Sequence, residues 1–222
     1  MTPPSIVLSY PAIEPDELVD HIEFLRECGY DFVATGELVD RWPTDGEPDT
    51  GLAAVCLEGG HRDELLFASP LLSVLGVPAT HFIDPSLLGA GKDMLSKADA
   101  EILAASGAEL GVAANGLPLR GARAEVEKLA GRPVRVLAWP DEKEAGHTAT
   151  AAAAAGFDAA FGTEPGPWRR FAAPRLRVPA RDGLVTLARW MERHQSRLRT
   201  AFVGVLLELD VFDIFDVVTN HI

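Results

Sequence analysis

Short apolar segments alternate with helix-forming segments along most of the chain, and this alternation constrains the fold more than any other feature. Each apolar segment has the length of a strand, and the segments between them carry apolar residues three or four positions apart. Such alternation favours parallel strands with covering helices. We therefore predict an α/β fold, a distorted (β/α) barrel of about seven strands. The predicted strands are residues 5–10, 31–35, 52–58, 78–83, 109–114, 134–139, 158–161 and 176–178.

The composition is that of one globular domain, which we place at residues 1–222. A chain of 222 residues that is 47% hydrophobic can bury a sizeable core. Acidic residues outnumber basic residues by 33 to 20, which gives a formal net charge of -13. This negative field repels phosphate backbones and anionic lipids. Neither nucleic acid nor a membrane surface is therefore expected as a partner.

The chain carries no pattern for export, membrane insertion or disulfide bonding. Residues 1–4 lack a basic region followed by an apolar one, so we expect no signal peptide and a cytoplasmic location. The longest apolar run, near residues 201–218, is interrupted by four acidic residues and does not predict a membrane span. Cys28 and Cys56 are the only cysteines, and both are expected to be small buried apolar residues.

Residues 52–64 contain the best candidate for a functional group. An apolar strand ends at Glu58, a Gly59-Gly60 turn follows, and a helix is predicted over residues 62–74. Ligands of α/β proteins gather at the carboxyl ends of the strands. Glu58 is therefore the candidate catalytic residue. In an apolar pocket its carboxyl group would serve as a general acid or base.

The segment Cys56-Leu57-Glu58-Gly59-Gly60 resembles the first signature of the polysaccharide deacetylase (NodB-homology) family, a strand ending in Thr-Phe-Asp-Asp-Gly. The resemblance extends to about residue 197 and depends on the order of several fragments. It implies the same barrel fold. The other matching fragments are residues 8–13, 25–33, 68–72, 76–83, 109–119, 137–140, 161–163 and 174–178.

The resemblance also implies that the family's metal site is lost. Family members bind a divalent metal, usually zinc, through one Asp and two His spaced four apart, and a second Asp is the general base. The ligand positions correspond here to Gly59, Ala113 and Leu117, none of which has a donor atom, and the base position to Glu58. We therefore predict no metal and no other cofactor.

Five further residues are candidates for binding a substrate near the predicted base. His61 follows the Gly-Gly turn, Asn115 lies between the two vacated His positions, and Tyr10 ends the first strand. Trp139 has an aromatic face that suits a sugar ring, and Asp141 follows the same strand. Four of them have a structural alternative: a surface His, a turn Asn, a core Trp and a solvent-facing Asp.

These observations leave three functional hypotheses. The first is a deacetylase-like protein without a metal, either a pseudoenzyme or a catalytically altered member, which acts in carbohydrate metabolism by binding an N-acyl sugar or a partner protein. The second is a metal-independent hydrolase of non-peptide carbon–nitrogen bonds, or another acid/base enzyme, that uses Glu58 on an N-acyl sugar or small metabolite. The third draws relocated metal ligands from Glu58, His61, His81 and Asp84.

Residues 201–222 are nearly all apolar; the main exceptions are Glu208 and, spaced three residues apart, Asp210, Asp213 and Asp216. One interpretation is a closing strand at 201–209 followed by a helix packed on the same domain. The other is an apolar face that covers a second subunit or a partner protein.

Overall fold

The computed structural model describes residues 2–11, 14–43, 46–114, 118–139, 145–163, 166–179 and 183–194. Strands and helices alternate through these ranges, as the sequence predicts. The elements are β1 Ile6–Tyr10, α1 Pro15–Glu27, β2 Asp31–Val33, α2 Thr35–Asp40, β3 Leu52–Glu58, a π-helical turn Glu64–Ala68, α3 Ser69–Val74, β4 Ala79–Ile83, α4 Lys97–Ala105, β5 Glu109–Ala113, α5 Leu119–Ala130, β6 Val136–Ala138, α6 Ala145–Ala154, β7 Ala159–Gly162, β8 Ala173–Pro174, β9 Leu176–Arg177 and α7 Gly183–His194.

The strands form one parallel sheet that curls into a nearly closed barrel. Its order is β8-β7-β6-β5-β4-β3-β1-β9, and β2 pairs with the start of β3. The two end strands of this order are consecutive in the chain, with only Arg175 between them. β8 pairs with β7, and β9 pairs with β1. This one segment therefore closes the barrel, and the predicted (β/α) barrel is confirmed.

Alternation along each strand separates an inner from an outer face. In β3, Ala54 and Cys56 belong to the cluster inside the barrel, whereas Leu57 belongs to a cluster under the helices. Tyr10 and His81 are the neighbours of Leu57 in the adjacent strands, so they share its outward face. The next residue of β3, Glu58, accordingly belongs to the inner face.

Aromatic rings fill the centre of the barrel. The rings of Phe82 and Phe161 lie 6.2 Å apart and are both fully buried. Gly111 makes room for this packing, because a Cβ atom there would come within 2.6 Å of the Phe82 ring. Small and large inward residues therefore complement each other, as close packing of a barrel interior requires.

A carboxylate closes the amino end of the barrel. Glu109, at the start of β5, accepts hydrogen bonds from the hydroxyls of Thr35 (2.8 Å) and Thr80 (2.6 Å) and from the backbone N–H of Gly36 (3.0 Å). These contacts join β4, β5 and the beginning of α2. The α2 helix starts at Thr35, and its first turn is bonded to this carboxylate.

The helix predicted over residues 62–74 is interrupted. Its first part is the π-helical turn Glu64–Ala68, and its second is α3, with Pro70 in the first turn. A proline near a helix start is tolerated because its missing N–H would have no partner there. Among the described residues, no helix has both the length and the apolar character to cross a membrane. The strand predicted at 201–209 lies outside the described residues.

Candidate functional site

The candidate site is a cavity of about 330 Å³ at the carboxyl ends of the strands. Glu58, the last residue of β3, reaches it from inside the barrel with a side chain that is 20% exposed. The wall combines apolar groups with a few polar ones. The lining residues are Pro11, Glu58, Gly59, His61, Phe82, Asp84, Leu87, Ala113, Ala138, Thr163 and Arg177.

Glu58 forms an ion pair with Arg175, the residue at which the barrel closes. The guanidinium is fully buried and also donates to the carbonyls of Trp139 (2.8 Å) and Gly162 (3.3 Å). It lies 5.7 Å from the centre of the Phe82 ring. Burial lowers the pKa of Arg175 to about 10, so the guanidinium stays charged at neutral pH. A cation therefore contacts the Glu58 carboxylate, so the cavity around this residue is not wholly apolar.

The Gly59-Gly60 turn sets the shape of the cavity beside Glu58. Both residues have positive φ angles, +105° and +66°, which favour glycine. The ring of His61 lies against Gly59, 2.7 Å from where a Cβ atom would stand. The backbone N–H of His61 donates to the buried carboxylate of Glu64 (3.0 Å). The loop is therefore fixed, with the His61 side chain at the cavity wall.

The described residues do not fit a divalent metal ion. Gly59 has no side chain, Ala113 presents a methyl group, and Glu58 is bound by Arg175. The Asp84 carboxylate accepts from the N–H (2.8 Å) and hydroxyl (2.6 Å) of Ser86. Nowhere in the described ranges do three His, Cys, Asp or Glu side chains come together as metal ligands. The third ligand position of the resemblance, Leu117, lies outside those ranges.

Relocated ligands do not converge either. His81 is fully buried on the outer face of β4, where its Nδ1 lies 2.9 Å from the Glu64 carboxylate. Since strand alternation turns His81 away from the cavity, it is not placed to join Glu58, His61 and Asp84 in one coordination sphere. His81 is therefore a buried core histidine.

The structure places the predicted substrate-binding residues in three settings. His61 lines the cavity. Tyr10 and Trp139 are buried and do not reach it: the Tyr10 hydroxyl lies 3.3 Å from His21 Nδ1, and the Trp139 indole donates to the carbonyl of Phe171 (3.2 Å). A role in stacking on a sugar would need an exposed ring face. The other two candidates, residues 115 and 141, lie outside the described residues.

Two arginines of the site are functional candidates that the sequence reasoning missed. Arg175 and Arg177 were noted only as parts of a matching segment, 174–178. They stand on either side of Leu176. Because side chains alternate between the two faces of a strand, this spacing indicates that both arginines lie on the same face. The sequence pattern did not predict that β8 and β9, each two residues long, lie on either side of Arg175 and pair with β7 and β1.

The cysteines behave as small apolar residues. Cys56 is fully buried inside the barrel, and burial raises the pKa of its thiol to about 12. Cys28 is half-buried, and burial, helped by the charge of Glu27, raises its pKa to about 11. Neither thiol is activated as a nucleophile.

This parallel barrel, with its cavity at the carboxyl strand ends and a carboxylate at the end of β3, has the fold of known deacetylases. IcaB from Ammonifex degensii superposes with a TM-score of 0.67 at 19% identity, over 85% of this chain and 97% of that one. The Streptococcus pyogenes deacetylase PplD, in complex with acetate, gives 0.64 at 15%, over 85% and 97%. A de-N-acetylase from Aggregatibacter actinomycetemcomitans gives 0.68 at 13%, over 84% and 99%.

The predicted resemblance to polysaccharide deacetylases is thus confirmed at the level of the fold. In contrast to the structural comparison, no protein-family model and no curated protein sequence matches the chain.

Proposed function

We propose that this chain is a deacetylase-like protein without the metal site, which binds an N-acyl sugar in the cavity at Glu58. The observation that carries the proposal is the Glu58–Arg175 ion pair beside Gly59 and Ala113. A metal-dependent deacetylase needs several anionic or imidazole donors that converge on a cation. Here the cation that contacts the Glu58 carboxylate is the Arg175 guanidinium and not a metal ion. The neighbouring positions, Gly59 and Ala113, offer no donor atoms.

The cavity retains features suited to an N-acyl sugar. Its volume of about 330 Å³ is at the small end of the range for ligand pockets, which run from roughly 300 to 1,000 Å³. Glu58 can accept a hydrogen bond from a hydroxyl or amide N–H, and His61 and Arg177 can donate to sugar oxygens. Ala113 and Ala138 provide apolar contact for an acyl methyl group. The acetate complex of the S. pyogenes deacetylase supports an acyl-sized ligand in this fold.

A second candidate function is acid/base catalysis by Glu58 without a metal. Its support is the exposure of part of the carboxylate to the cavity. Because the Arg175 contact stabilises the charged carboxylate, the role that fits is a general base. On this alternative, Glu58→Gln would abolish turnover of an N-acyl sugar by protein that is still folded.

Binding to chito-oligosaccharides, measured by calorimetry with and without a chelator, tests the proposal. We expect saturable binding that the chelator does not change and that Ala113→Leu abolishes by filling the cavity. Ala151→Leu is the matched control, because Ala151 is exposed on α6. Acetate release is measured in parallel. Zinc-dependent release of acetate, or the absence of binding, would overturn the proposal, and metal-free release that depends on Glu58 would establish the alternative.

A further inference from the structure

A second and larger concavity lies at the other end of the barrel. It is a groove of about 730 Å³ at the amino ends of β4 and β5. Residues 65–76 form one bank, with Ser69, Pro70 and Ser73 facing the groove, and α4 forms the other, with Ile102 and Ser106. None of the residues that line the candidate site takes part in this groove.

Both banks carry exposed apolar side chains. Five large apolar side chains are exposed in the described part of the chain, and four of them are on these banks: Leu66 (53%), Phe67 (54%), Val74 (86%) and Ile102 (54%). Pro70 lines the groove one helical turn from both Leu66 and Val74, so the exposed residues continue the groove surface. Exposed apolar side chains clustered on two neighbouring banks are typical of a surface that another protein segment covers.

The rim of the groove is basic. Arg132 and Arg135 line it. Arg135 already pairs with Asp40 and Asp158. Arg132 is exposed and donates to the carbonyl of Ala108, but no carboxylate in the described ranges pairs with it. The groove therefore offers an apolar floor beside an arginine that suits an acidic group.

Residues 201–222 have the matching composition. They contain Glu208, Asp210, Asp213 and Asp216 but neither Lys nor Arg, and most of the remaining residues are apolar. At the three-residue spacing of the aspartates, a helix presents the acids on one side and the apolar residues on another. Such a segment complements an apolar groove with a basic rim in both polarity and charge.

The same segment leaves the described structure near the groove. The last turn of α7 lies at the amino end of the barrel, where Met191 Sδ accepts a hydrogen bond from the Tyr30 hydroxyl (3.4 Å). α7 packs on α1, and Arg26 in the last turn of α1 donates to the carbonyl of Leu75 at the end of α3. Only α1 therefore stands between the end of α7 and α3, the near bank of the groove.

The connecting residues are long enough for this path. Packed helices are about 8–10 Å apart, so two helix spacings amount to roughly 16–20 Å. Residues 195–200 span at most about 20 Å when extended. The segment beginning at residue 201 can therefore reach the groove of its own chain.

We propose that residues 201–222 pack into the groove between α3 and α4 of the same chain, with their apolar side on the groove floor and their acidic side towards Arg132. This assigns the segment to the barrel domain itself, where it covers the exposed apolar bank. The proposal is independent of what the candidate site binds.

Cysteine cross-linking distinguishes this packing from contacts between copies. A chain with Ser73→Cys in the groove and Val211→Cys in the segment is treated with a short bismaleimide, and bridged peptides are mapped by mass spectrometry. We expect a bridge within the monomer. Ala151→Cys with Val211→Cys is the control, since Ala151 is exposed on α6. Bridges found only in dimers, or no more bridging than in the control, overturn the proposal.

Hydrogen exchange of the full-length chain provides a second measurement. The amides of residues 201–222 should be protected, and Val74→Glu with Ile102→Glu should speed their exchange by about tenfold or more, because the charges disrupt apolar contacts. Leu87→Glu, at the opposite end of the barrel, is the control and should leave the exchange unchanged. Unprotected amides in the parent chain, or protection that survives both groove substitutions, would refute the packing.

Discussion

The Glu58–Arg175 ion pair is the most informative contact in the molecule. A buried guanidinium is stable only when its donors find acceptors. Arg175 meets this requirement with one carboxylate and two backbone carbonyls, those of Trp139 and Gly162. Gly162 belongs to β7, and Trp139 directly follows β6. The Arg175 side chain therefore neutralises Glu58 and also links the strands next to the point where the barrel closes.

Removing the carboxylate should therefore destabilise the fold as well as change the cavity. We expect Glu58→Gln to lower the free energy of unfolding by about 2–4 kcal/mol, since the buried Arg175 charge loses its counter-ion. Urea denaturation measures the loss. Combining it with Arg175→Met should cost less than the sum of the two single changes. Glu37→Gln, in an exposed pair with Arg41, is the control and should cost less than about 1 kcal/mol. Additive losses would contradict the pairing.

The second residue-scale prediction concerns Gly59, the position at which the resemblance expects a metal-binding Asp. With φ at +105° and the His61 ring at the Cβ position, any side chain is strained there. Gly59→Ala should lower stability by roughly 1–2 kcal/mol, and Gly59→Asp at least as much without creating zinc binding. Gly162→Ala is the matched control, because open space surrounds its Cβ position. Thermal unfolding and elemental analysis are the measurements. A stable, zinc-loaded Gly59→Asp protein would contradict this prediction.

Sequence reasoning found the parts of the site that depend on one strand and its following turn. Glu58 and His61 belong to that kind, and both line the cavity. Tyr10 is a candidate as the end of a strand and Trp139 for its aromatic face. The side of the sheet on which a residue lies follows from register, however, and both side chains face the helices. Arg175 was missed because its position depends on barrel closure, a long-range property.

At the scale of elements, the junction of β1, α1 and α7 contains a buried titratable group. His21 is 2% exposed, and burial lowers its pKa from 6.5 to about 4. Its Nδ1 meets the Tyr10 hydroxyl, and its ring lies against Gly183 at the start of α7. The folded protein therefore holds this imidazole neutral at a pH where the unfolded chain would protonate it.

This difference predicts a loss of stability in mild acid. The contribution of His21 is fully present above pH 6.5 and declines as the pH falls towards 4, since the unfolded state then binds more protons. We expect the loss to reach about 3 kcal/mol at pH 4. Urea denaturation across this range should show a shallower decline for His21→Gln than for the parent chain. Equal slopes in the parent and His21→Gln would exclude the assignment.

Element types were predicted better than element ends. The periodicity of apolar residues predicted the main strands and helices, because both patterns are local. The helix predicted over 62–74 is divided because Glu64 is drawn into contacts with His61 and His81. Likewise, β2 ends at Val33 because Thr35 bonds to Thr80 and Glu109. In both cases a tertiary hydrogen bond overrides the local pattern.

At the scale of the whole molecule, the two ends of the barrel are chemically different. The carboxyl end holds the cavity with its ion pair, and the amino end holds the Glu109 contacts and the apolar groove. The inner cluster of buried apolar residues lies between them. Substitutions at the groove are therefore expected to change how the chain covers its apolar surface without altering the cavity lining, which makes the two ends separable in experiments.

Thermal stability of the whole protein reports on what the cavity binds, because a ligand that binds only the folded state raises the unfolding temperature. A ligand at about 100 times its dissociation constant adds roughly 2.7 kcal/mol. For a chain of this size, we expect a rise of about 5–10 °C with a chito-oligosaccharide. Zinc and a chelator should leave the parent's unfolding temperature unchanged, since Gly59 and Ala113 supply no ligands. The unfolding temperature of Ala113→Leu should respond neither to the sugar nor to zinc. A zinc-dependent rise in the parent chain would show that a metal site exists and would contradict the proposed function.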